Sequence, residues 1–192
     1  MWGKIKSKLT NGCLRYGRNM SGVTAIEFAI LAPLFIGMLA VITETGVMMF
    51  TEYTLQASVQ EASRLVRTGQ AQAGGFSAAQ FKAKICNTAS LIIDCTGGVN
   101  VYVASDSNFA NLKGKLPSFM NVGPKDDGSA NPTSFACGGP LQTTAVVATF
   151  DWKFAMPGFM GFNANTGDTT KRRLVAFSMF QNEPFPTGTS CS

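Results

Sequence analysis

The chain has 192 residues, 45% of them hydrophobic and only 14% charged, which is room for one long apolar helix and one modest globular domain and no more. It contains no histidine, so no Ser-His or Cys-His nucleophile pair can be built. The formal charge of +5 is accounted for by Lys4, Lys6, Lys8, Arg15 and Arg18, all ahead of Gly22 with no acid among them; the rest of the chain is neutral and offers no basic face for nucleic acid.

Under the positive-inside rule this basic leader, residues 1–22, holds the N-terminus in the cytoplasm. An apolar segment follows, read as a transmembrane helix over 23–50. Its uncharged core FAILAPLFIGMLAVIT, between Glu27 and Glu44, spans ~24 Å at ~1.5 Å per residue, close to a ~30 Å hydrocarbon core. Pro33 leaves the Ala29 carbonyl without its helical donor and should bend or loosen the helix. The segment is too long for a secretory h-region and no A-x-A site follows it. Cleavage between Gly22 and Val23 would instead remove the leader and leave the helix attached, with Glu27 at the fifth position of the mature chain. A glycine before the scissile bond lets backbone approach an active site closely.

Glu27 has two readings. A carboxylate at the edge of hydrocarbon can snorkel to the headgroups; alternatively, one helical turn from a newly freed amine, it can meet the ammonium of its own or a neighbouring chain. Glu44, at the other end, reads as an outer cap of the span.

The helix continues through 51–68, where Leu55, Val59, Ala62 and Val66 make one apolar stripe, Gln56, Gln60, Glu61, Arg64 and Arg67 occupy other faces, and Gly69 stops it. A second helix is signposted by the capping box Ser77-Ala-Ala-Gln80, with Phe76 and Phe81 at staple positions. VNVYVAS from Val99 alternates as a half-buried strand, and TTAVVATFDWKF and KRRLVAFSMFQ supply two more. Gly, Pro, Asn, Asp and Ser dominate 105–140, which reads as loop with a short helical turn near Phe109. The fold class is therefore α+β: a long N-terminal transmembrane helix followed by a small domain, 51–192, with a second helix and an antiparallel sheet.

Cys13 falls in the leader, which leaves Cys86, Cys95, Cys137 and Cys191, an even number suited to an oxidising compartment. Three pairings are possible. The favoured one joins Cys86 to Cys95, pinning the second helix to the loop before the first strand, and by default Cys137 to Cys191. No C-x-x-C pair supports a metal site, and no phosphate-binding glycine loop is present, so neither metal nor cofactor is expected. Asp126-Asp127 reads as a solvated turn. In FDWKFAMPGFMGF the first half alternates as core strand, whereas Phe159, Met160 and Phe162 crowd a glycine-bearing loop and form a candidate interaction surface.

The stretches GVTAIEFAILAPLF, ITETGVMMFTEYTLQASVQEASRLVRTGQ and LVAFSMFQNEPF resemble the TadE-like proteins of the Tad (Flp) pilus system, minor pilins or pseudopilins; TadF-like proteins share the same kind of N-terminus. The resemblance is strong over the first 70 residues and looser beyond. It implies a non-enzymatic inner-membrane subunit, single-pass with a periplasmic C-terminal domain, cut by a prepilin peptidase after Gly22. Glu27 would be its pilin-type glutamate, its partners other Tad pilus subunits and assembly proteins, and its role pilus assembly and surface adhesion. The competing reading is a membrane-anchored periplasmic binding module that never polymerises; an anchored hydrolase working through carboxylates alone is a third.

Overall fold

The computed structural model describes residues 22–89, 93–95, 98–116, 122, 134–186 and 191. The basic leader, Cys13 and Asp126-Asp127 lie outside them. Two compact units divide between Thr43 and Glu44.

One helix, α1, runs unbroken from Val23 to Arg67 and includes Pro33. In the first unit it is the whole of the described structure. Beyond Glu44 it becomes a core helix: Leu55, Val59, Ala62 and Val66 are all buried, as the spacing predicts. The helix ends where Gly69 takes φ +78° and its N–H bonds the carbonyl of Val66 at 3.1 Å. A Cβ at Gly69 would stand 2.6 Å from the Phe185 ring, so conformation and space both require glycine there. A four-residue helix, α2 (Gln70–Ala73), follows; it is too short to show in a periodicity.

The capping box forms as its residues dictate. Ser77 N–H donates to Gln80 Oε1 at 3.0 Å, and Gln80 N–H donates to Ser77 Oγ at 3.3 Å; α3 then spans Ala78–Ala89. Phe81, on its inner face, is fully buried, and Phe76 packs against the same cluster.

Strands β1 (Val99–Asp106), β2 (Thr143–Lys153) and β3 (Lys171–Gln181) form an antiparallel sheet in that order. Val103 pairs with Val146, which pairs with Ser178, and period-2 alternation sends Val99, Val103, Val146, Ala148 and Ala176 into one cluster with the α1 stripe and Phe81 and Ile85 of α3. The other face is also partly covered. Leu112 of α4 (Phe109–Lys115) packs with Ala104 and Ala145, and Asn108 caps α4 by accepting from Asn111 N–H at 2.8 Å.

Each edge strand is engaged on its outer side. Along β1, Val103 N–H donates to the Ser134 carbonyl and its own carbonyl accepts from Ala136 N–H, at 2.8 and 3.0 Å. Along β3, the Gln56 side chain does the same work: Nε2 donates to the Phe177 carbonyl at 2.9 Å and Oε1 accepts from Phe177 N–H at 3.0 Å. A primary amide thus pairs with the strand as one rung of a neighbouring strand would, which occupies part of an otherwise open hydrogen-bonding edge. Gln56, which lies off the apolar stripe, thus still belongs to the packing surface.

Candidate membrane and assembly segment

From Val23 to Thr43 α1 covers roughly 31 Å at ~1.5 Å per residue, about the thickness of a hydrocarbon core. Its most apolar 18-residue window has a mean hydropathy of 2.4 and no buried residue. Phe28, Ile30 and Ile36 are each more than 60% exposed, and at ~100° per residue they point in three different directions around the axis. A helix apolar all round needs an apolar solvent on all sides. Gly22 stands immediately before the helix, and a Cβ there would meet nothing within 4 Å. Glu27 lies exposed in the early turns of α1, so its carboxylate is accessible.

Glu44 behaves differently from the outer cap expected of it. Its side chain is buried, and Oε1 accepts a hydrogen bond from Ala155 N–H at 2.6 Å, tying α1 to the chain that leaves β2. Oε2 is buried without a partner. Nothing in local spacing reveals this bond, because the two residues are 111 positions apart.

That departing chain forms α5 (Pro157–Met160), with proline at its first turn, and then a 3₁₀ turn, Gly161–Asn163. The turn separates the three candidate surface residues. Phe159 and Phe162 are 58% and 77% exposed. Met160 is fully buried and is corrected to a core residue, since the helical turn rotates it inward from its neighbour.

Cys86 pairs with Cys95 and Cys137 with Cys191, with Cα atoms 5.8 and 5.9 Å apart. Around the second pair lies a polar network absent from the sequence reading. Gln72 Nε2 donates to the carbonyls of Cys137 and Gly138 at 3.2 and 3.1 Å, and Asn182 Nδ2 donates to those of Cys137 and Gly139 at 3.0 and 2.9 Å. Gly138 holds φ +70°, the left-handed bend that turns these carbonyls toward the two amides. Beyond Asn182, Glu183 N–H donates to the Arg67 carbonyl at 2.9 Å and its carboxylate lies 3.3 Å from Arg67 Nε. The segment Asn182–Phe185 thereby fastens the tail after β3 to the end of α1.

Among the described residues, two surface carboxylates have lowered pKa values. A hydrogen bond from Lys115 is the main cause of holding Asp106 at about 2, with the Ser107 N–H next. The Thr170 hydroxyl, followed by its N–H, lowers Asp168.

An exposed apolar helix of bilayer length, continued into an α+β domain, defines a single-pass membrane protein. Residues 22–64 match the family model described as TadE-like protein. Over that segment the chain is similar to the TadE-like proteins of the Tad pilus system. The match begins at Gly22 and ends inside the core stripe of α1. Comparison with curated proteins and with solved structures gives no match.

Proposed function

We propose that this TadE-like chain is a minor pilin or pseudopilin that takes part in assembling a Tad (Flp) pilus and so in surface adhesion. In this reading the basic leader stays in the cytoplasm and a prepilin peptidase cuts between Gly22 and Val23. The helix remains in the inner membrane, and the domain lies in the periplasm, where its cysteines oxidise. Glu27 then pairs with the ammonium of Val23 on its own or a neighbouring chain, which lowers the cost of holding both charges near hydrocarbon. Contacts with other Tad subunits follow from the same helix.

One observation carries the reading: an open glycine immediately precedes an apolar helix that bears an accessible carboxylate five positions on, and the TadE-like match starts at that glycine. The intact mass of protein extracted from membranes tests it. A chain beginning at Val23 is expected. A chain that retains the leader would replace this reading with that of a membrane-anchored periplasmic binding module.

A further inference from the structure

We infer that the turn from Ala155 to Asn163 is a second membrane contact, which seats Phe159 and Phe162 in the interfacial zone of the leaflet where α1 emerges. The inference rests on Val23–Thr43 spanning the bilayer, and goes beyond it by giving a function to a segment of the domain.

The level of the turn is set by Glu44. This residue directly follows the span, and its carboxylate holds Ala155 N–H at 2.6 Å, so the turn starts one hydrogen bond from the helix at its exit. The exposed apolar surface of α1 does not stop there, because Met49 and Phe50 are 64% and 57% exposed. Phe159 and Phe162 add two exposed apolar rings to the turn that Glu44 holds at this end of the span. Aromatic rings are favoured there, where an apolar body meets a wet and polar layer.

The turn is built to present these rings rather than hide them. Buried Met160 anchors it from within, Ala164 N–H closes it on the Gly161 carbonyl at 3.2 Å, and Arg172 donates to the Asn163 carbonyl at 2.9 Å. Charge favours the same partner. Lys153 is paired across the strands with Lys171, and Arg172 lies beside it opposite Trp152, so basic groups from both strands flank the turn. The neighbouring acids are engaged: Asp151 by Arg173 at 2.6 Å, and Asp168 by Thr170 at 2.6 Å and Lys171 at 3.7 Å. Two exposed aromatics between basic groups suit anionic phospholipid headgroups over acyl chains.

Tryptophan placed singly at four exposed positions of the full chain provides the test. The chain is reconstituted at high dilution in vesicles of phosphatidylethanolamine and phosphatidylglycerol, with and without brominated acyl chains, and wild-type emission is subtracted. Leu34→Trp reports the span. Leu141→Trp, at an exposed residue just before the opposite end of β2, reports water. Brominated lipid should reduce the added emission of Phe159→Trp and Phe162→Trp by about twofold or more, as it does at Leu34, and leave Leu141 unchanged. Quenching at Leu34 with none at 159 and 162 overturns the inference and leaves the span intact. Absence of quenching at Leu34 overturns both. A blue shift at 159 and 162 without quenching, seen only when protein is crowded in the bilayer, overturns the inference in favour of a protein neighbour.

Discussion

Glu27 and Glu44 are chemically identical carboxylates at the two ends of one apolar run, and their surroundings divide their roles. Glu44 is consumed internally by Ala155. Glu27 is exposed, which is the condition for pairing with another chain. If it pairs with the Val23 ammonium, Glu27→Gln should leave insertion and cleavage intact while pilus output falls, because the amine loses its counter-charge; removing one partner of a buried pair costs up to ~3 to 5 kcal/mol. Wild-type piliation by a processed Glu27→Gln chain would return the residue to snorkelling. Cleavage itself is expected to fail in Gly22→Leu, read as retention of the leader mass. At Gln56 the expectation concerns stability: Gln56→Ala leaves the Phe177 N–H and carbonyl without that amide and should cost ~1 to 3 kcal/mol in denaturant unfolding, whereas Gln60→Ala, on the exposed face, should stay within about 0.5 kcal/mol. Asp106 sets a pH response. Its ordinary value of 3.8 falls to about 2 in the folded protein, so its contribution is complete above about pH 4 and disappears as pH drops through 2. A carboxyl NMR titration of Asp106 should show that midpoint, and Lys115→Met should raise it.

Among the elements, those governed by local rules were legible. The α1 stripe, the capping box of α3 and the three strands follow from spacing, because burial on one face imposes a period. The connections were not. Gln56, Glu44, Gln72 and Asn182 all satisfy backbone groups far away in sequence, and a polar residue carries no periodicity that names its distant partner. Met160 was misplaced for a related reason: glycine and proline around it suggested open loop, and a single helical turn was enough to bury it. The two cysteine pairs close loops of unequal length, with separations of 9 and 54 residues. In the chain-entropy model the longer loop stabilises more, about 4 kcal/mol against about 2.5. Replacing Cys137 and Cys191 together by serine should therefore lower the unfolding free energy more than the same change at Cys86 and Cys95.

At the scale of the whole molecule, the TadE-like match stops at residue 64 and the sheet lies beyond it, so the match speaks for α1 and not for the sheet. The proposed orientation requires the domain and the leader to face opposite sides of the inner membrane. In intact spheroplasts, external protease should reach the domain while a tag on the leader of the Gly22→Leu chain stays protected.

The fastening of Asn182–Phe185 to Arg67 and Gly69 has a consequence for the order of synthesis. The core stripe of α1 is made early, yet its partner strand β3 and the tail that grips its end come last. Until then Leu55, Val59 and Val66 have no complete cover, and contacts so distant in sequence form slowly. The nascent subunit thus carries an exposed sticky face through most of its own translation, and a chain terminated before Asn182 should be recognised by proteases as unfinished.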